Sequence, residues 1–100
     1  MISVNVSFMG KDVKSLTVSG HANYDEYGKD IVCAGVSAIV TGGINALEPH
    51  IKNIEIINES NKLGVIVIES NEVIQVILNT MLIQLETIEN SYKKYIKIKR

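Results

Sequence analysis

Apolar Ile2, Val4, Val6 and Phe8 alternate with polar Ser3, Asn5 and Ser7 at the start of the chain. This period of two predicts a half-buried strand. A turn at Met9-Gly10-Lys11-Asp12 and a second strand over residues 14–19 predict a hairpin. Residues 20–29 break the pattern: His21, Asn23, Tyr24, Asp25, Glu26, Tyr27 and Lys29 form a polar stretch with Gly20 and Gly28 near its ends. A non-periodic segment of this length predicts a mobile, functional loop. From Ile31 the chain turns almost continuously apolar, through Val32, Ala34, Val36, Ala38, Ile39, Val40, Ile44, Ala46 and Leu47. That predicts a helix over residues 31–47 with Asp30 as its N-cap and Pro49 beyond its end. With no polar face, it is expected to be covered on both sides. Its small residues, including Gly35, Gly42 and Gly43, admit a close neighbour, although each glycine weakens the helix by about 1 kcal/mol.

Two further strands are predicted at 54–59 and 62–69 around Ser60-Asn61, followed by a helix over 71–91. The helix has an apolar stripe of Ile74, Ile77, Leu78, Met81, Leu85 and Ile88. Val73, Val76, Leu82 and Ile83 lie partly outside it and again call for a second covered face. Residues 95–99 alternate as a last strand. The order ββαββαβ predicts an α+β fold, two helices packed on a mostly antiparallel sheet, as one domain spanning residues 1–100.

Composition narrows the classes. With 100 residues, 46% hydrophobic and 21% charged, the chain suits a single globular domain. So small a domain leaves apolar surface that a second copy of the chain can cover. A net charge of -1 argues against a general nucleic-acid binder, for which a strongly basic domain is expected. Five of the 10 basic residues, Lys93, Lys94, Lys97, Lys99 and Arg100, fall in the last eight positions. They read either as lysines guarding an edge strand or as a contact for RNA or an acidic partner. The first reading is preferred, because so short a run supplies few phosphate contacts. One cysteine permits no intrachain disulfide. The N-terminus lacks the pattern of a signal peptide, and no apolar run approaches the ~20 residues of a membrane helix. A cytoplasmic protein with a free thiol and no membrane partner is expected.

That thiol, Cys33, becomes the third residue of the first helix if Asp30 caps it. Unpaired backbone N–H groups and the helix dipole stabilise an anion there, and the thiolate is the nucleophilic form of cysteine. The N–H groups of Cys33 and Ala34 are candidate donors to the oxyanion of an acyl-transfer intermediate. The plain alternative is inert packing in an apolar helix. His21 lies twelve residues upstream on the loop feeding the helix, where an imidazole can take the thiol proton and return one to a leaving amine. It reads equally as a surface histidine. His50, beyond the far end of the helix, is assigned to the surface. Asp30 has two conflicting roles: as a cap it aims Cys33, whereas as a nearby carboxylate it opposes a thiolate. Ser37, one turn after Cys33 on the same face, can bond the sulfur, line a cleft, or bond its own helix carbonyl. One cysteine and two distant histidines make no zinc site, and no metal or cofactor is expected.

The run Gly20-His21-Ala22, then Gly28, then Asp30-Ile31-Val32-Cys33-Ala34-Gly35 with Ser37-Ala38 resembles the motif of the ribosomal-processing cysteine proteases, Prp, and length and element order extend the likeness over the whole chain. The resemblance implies a cysteine endopeptidase that removes the N-terminal extension of a bacterial large-subunit ribosomal protein, number twenty-seven. It also implies a homodimer with His21 and Cys33 as the catalytic pair, Asp30 and Ser37 in support, and Gly20, Ala22 and Gly28 in a mobile substrate loop. The precursor peptide would be the partner, with no direct need for nucleic acid. The alternatives are a non-catalytic ribosome-associated module touching RNA through its basic tail, and a one-cysteine redox protein.

Overall fold

The computed structural model describes residues 1–20 and 30–100. They form β1 (Ile2–Met9), β2 (Asp12–Ser19), α1 (Ile31–Ala46), a short 3-10 segment (Glu48–Asn53), β3 (Ile54–Glu59), β4 (Lys62–Val67), α2 (Glu72–Ser91) and β5 (Ile96–Lys99). This is the expected ββαββαβ order. The five strands make one sheet in the order β3-β4-β2-β1-β5, antiparallel throughout except for the parallel β1–β5 pair.

Register explains where the core lies. Val4 pairs with Val18 and Ile98, Val6 with Leu16, Leu16 with Val65, and Val67 with Ile54. Paired residues share a face, so these strands present one apolar surface. Val32, Val36 and Val40 of α1 and Ile74, Leu78, Met81, Leu82 and Leu85 of α2 are buried in the same core. The opposite face carries Ser3, Asn5, Ser7, Ser15, Thr17 and Ser19, with Lys97 and Lys99 at one edge and Glu55 and Glu59 at the other. The β5 edge is partly closed from above, where a Glu89 carboxylate oxygen accepts from the Ile98 N–H at 2.7 Å.

Several boundaries differ from the sequence reading for identifiable reasons. Strand β2 begins at Asp12 rather than at residue 14, because a bulge intervenes: Ser7 pairs with Ser15 but Phe8 with Val13. The additional residue, Lys14, interrupts the period of two, and its Nζ donates to the Val67 carbonyl. Gln75 of α2 anchors the bulge, accepting from the Val13 N–H at 2.8 Å and donating to the Val13 carbonyl at 3.0 Å. Phe8, which the alternation counts as inward, is exposed. Strand β4 stops at Val67, since the N–H groups of Ile68 and Glu69 both turn to the Asn53 carbonyl. Helix α1 stops at Ala46, and Pro49 lies in the first turn of the 3-10 segment.

Among the described residues, nothing supplies the expected second cover over each helix. Helix α1 buries only its valine line, leaving Ile31 56% exposed, and α2 leaves Val73, Val76 and Ile83 open. Each helix lies on a single sheet face, and no other described element covers its outer side.

Candidate active site

The site is built at the junction between β2 and α1. Strand β2 runs into Gly20, whose φ of +86° is left-handed, and a Cβ there would lie 2.5 Å from the Met1 carbonyl oxygen. Backbone conformation and space both demand glycine at this point. His21, Ala22 and Gly28, with Asp25 and Glu26, lie outside the described residues, as does the expected mobile loop.

Asp30 re-enters in extended geometry, with φ −73° and ψ 103°. Its Oδ1 accepts from the Val32 N–H at 2.9 Å and the Cys33 N–H at 3.0 Å. Of the two roles open to Asp30, the cap is present. Such a cap contributes about 1 kcal/mol. Asp30→Ala is therefore expected to lower unfolding stability in urea by about that amount, with Asp30→Ser retaining most of it.

The same geometry gives both candidate oxyanion donors a partner. The Cys33 N–H already donates to the Asp30 carboxylate, and the Ala34 N–H donates to the Asp30 carbonyl at 3.1 Å. Neither is a spare donor in this arrangement, because the cap that builds the helix start also occupies it.

Cys33 occupies the first turn of α1 and is half-buried. It packs on the margin of the core, neither sealed among aliphatic side chains nor fully in solvent. Ser37, one turn later, is exposed. His50 is half-buried in the 3-10 segment at the opposite end of α1. There its Nδ1 lies 3.3 Å from the amide nitrogen of Asn71, the N-cap of α2. It lies at the surface, as expected, remote from Cys33 and in contact with Asn71.

The structure adds a feature that pattern reading does not reveal. A groove of about 310 Å³ runs beside α1, lined by Val36, Ser37 and Val40, by the end of β2 and by the β3–β4 hairpin. In sequence the hairpin tip is an ordinary polar turn. Only pairing of Ser19 with Lys62 brings it alongside Ser37 and Val40 of α1. Of the predicted residues, the structure thus joins Gly20 and Ser37 at one groove and Asp30 to Cys33 by a cap.

A half-buried thiol on the first turn of a capped helix, with Ser37 one turn later lining an open groove, is an arrangement a thiol-dependent enzyme can use. Comparison with known proteins gives that class its family. The sequence model of the family described as cysteine protease Prp matches residues 1–97. The ribosomal processing cysteine protease Prp of Staphylococcus aureus strain NCTC 8325 is 39% identical, over 97% of this chain and 94% of the relative. That of Bacillus subtilis strain 168 is 32% identical, over 88% and 86% respectively. Among solved structures, the S. aureus protease in complex with a covalently linked product peptide superposes with a TM-score of 0.90 at 34% identity, covering 98% of this chain and 97% of that one. The same protease with a substrate peptide gives 0.79 at 31% identity, covering 99% and 98%. The chain belongs to the cysteine protease Prp family, and it is a cysteine protease.

Proposed function

We propose that this protein is a ribosomal processing protease that removes the N-terminal extension of bacterial large-subunit ribosomal protein number twenty-seven, using Cys33 as nucleophile and His21 as base. The observation that carries the reading is the placement of the chain's one thiol, half-buried on a capped helix start, in a chain 39% identical to a named ribosomal processing protease.

The chemistry runs in two halves. His21 takes the Cys33 proton, and the sulfur attacks the scissile carbonyl carbon. The tetrahedral intermediate collapses as the C–N bond breaks, and the imidazolium returns its proton to the departing amine. A thioester joins the extension to Cys33. Water, deprotonated by the same imidazole, attacks this thioester and frees the carboxylate product with the thiol restored. Asp30 holds the helix start that carries the sulfur, and Ser37 faces the peptide one turn further on. Gly20, Ala22 and Gly28 belong to the segment that presents His21.

The exposed apolar residues of both helices, Ile31 on α1 and Val73, Val76 and Ile83 on α2, support a homodimer in which a second copy supplies the missing cover. No helix among the described residues is long and apolar enough to cross a membrane, and a ribosomal substrate implies the cytoplasm.

The test is direct. Purified precursor incubated with the protein should yield the free extension and the mature ribosomal protein, cut at one position read by mass spectrometry. A precursor left intact by an equimolar amount of folded enzyme contradicts the assignment.

A further inference from the structure

We propose that the sheet face opposite the helices, along β1 and β5, is a docking surface for the phosphate backbone of RNA. Lys97 and Lys99 are its charged contacts, and Lys93 and Lys94 extend it. The surface is separate from the thiol, and the choice of RNA rests on the ribosomal-substrate reading.

Placement follows from register. Lys97 pairs with Ser3 and Lys99 with Asn5, and paired residues share a face. Both lysines therefore lie on the face opposite the helices, each beside a neutral hydrogen-bonding side chain. Two residues apart along a strand, they stand about 7 Å from each other, a spacing that suits adjacent phosphates of one strand. Lys93 and Lys94 are exposed in the turn that enters β5. Arg100 does not join them, because the Glu86 carboxylate on α2 holds its guanidinium at 2.8 Å. Among the described residues, none of the four lysines is in an ion pair.

Local charge, not the net charge of -1, governs such a surface. Strands β1 and β5 carry no acid, and Glu55 and Glu59 lie on β3, at the opposite edge of the sheet. Four strand spacings of about 4.8 Å put them ~19 Å away, beyond the ~8 Å Debye length at physiological salt. Lysines also guard edge strands, but at β5 that part is taken by Glu89, whose carboxylate accepts from the Ile98 N–H.

Chemistry selects the partner. A protein partner would need an apolar anchor and a pocket for it, whereas the face around these lysines offers Ser3, Asn5 and Ser19. A phosphate backbone asks only for cations and hydrogen-bond donors. With no aromatic side chain on β5, and none on this face of β1, to stack a base, binding is expected to be independent of sequence. The hydroxyl and amide beside the lysines suit the 2′-OH that distinguishes RNA from DNA.

The experiment follows the anisotropy of a labelled RNA oligonucleotide titrated with the full chain at several salt concentrations. Four phosphate contacts predict that log Kd rises with log salt at a slope of about 3. Lys97→Gln combined with Lys99→Gln should halve that slope and weaken binding about tenfold at ~0.1 M salt. Lys11→Gln combined with Lys52→Gln, exposed lysines elsewhere, should change affinity by less than about twofold. Cleavage of precursor peptide by the Lys97/Lys99 variant should stay within about twofold of wild type in kcat/KM, which also reports that it is folded. DNA of the same sequence should bind more weakly, and unlabelled RNA should displace the probe better than polyglutamate at equal charge. Wild-type affinity and slope in the Lys97/Lys99 variant would overturn the proposal while leaving the protease reading in place. DNA binding as tightly as RNA, or polyglutamate displacing as well as RNA, would overturn the assignment to RNA. RNA bound as expected by an enzyme that cuts no precursor would overturn the protease reading and leave the surface standing.

Discussion

Cys33→Ala is expected to lower kcat/KM for the precursor peptide by at least about 10³-fold, because a covalent mechanism cannot proceed without its nucleophile. That loss corresponds to about 4 kcal/mol of transition-state stabilisation. The substitution removes one sulfur from the margin of the core, so the protein should remain folded by circular dichroism. His21→Ala should cost about 10²–10⁴-fold, the usual share of a positioned proton acceptor, and should do so through kcat. Cleavage by the Cys33 variant at the wild-type rate would remove the sulfur from the chemistry.

The largest expected effect on stability lies elsewhere, at Gly64 in β4. This residue pairs with Thr17 across the central ladder. A Cβ at Gly64 would lie 2.6 Å from the Thr17 Cα and closer still to the Leu16 carbonyl oxygen. Both are backbone atoms of β2, the strand on which the whole sheet is hung, so neither can swing aside as a side chain would. Gly64→Ala is expected to cost about 3 kcal/mol, the upper end for inserting an extra carbon into a packed site. In a domain of this size that corresponds to a fall in Tm of ~10–20 °C, measured by thermal unfolding. The hairpin bordering the groove hangs from this strand, so peptide cleavage should weaken as well. Unchanged unfolding in Gly64→Ala would mean that β2 and β4 pack less tightly than their register indicates.

How far the fold can be read from sequence depends on which force places each element. Strand β1 and the first residues of both helices are local matters: alternation marks Ile2, Val4 and Val6, and the side chains of Asp30 and Asn71 cap the helices that follow them. All these are legible in the chain. Non-local placements are less so. The bulge at Lys14 conceals the start of β2, because one extra residue reverses the inward and outward positions on either side of it. Parallel pairing of β5 with β1 leaves no mark in either strand. The apolar helices foretell a need for cover but not where it comes from, and among the described residues nothing covers their outer faces.

The candidate site divides along the same line. Residues 30–37 reveal themselves by local chemistry, since a cap, a thiol and a hydroxyl follow at spacings of three and four residues. At the helix start the Cys33 N–H donates to the Asp30 carboxylate and the Ala34 N–H to the Asp30 carbonyl, partners that pattern alone does not weigh. The hairpin at residues 58–63 carries no signal because its contribution arises from tertiary pairing. Leu63 and Val18 line the groove only because β4 lies beside β2.

The central claim is that the sulfur of Cys33 forms the covalent link to the peptide, and the most direct measurement of it is the mass of the enzyme during turnover. Precursor peptide mixed with enzyme and quenched in acid within one turnover should leave a protein heavier by the acyl fragment. Digestion should place the added mass on the peptide containing Cys33, the chain's one cysteine, and hydroxylamine should release it as expected of a thioester. Cleaved peptide accumulating with Cys33 unmodified at every quench time, and still open to alkylation, would contradict the account.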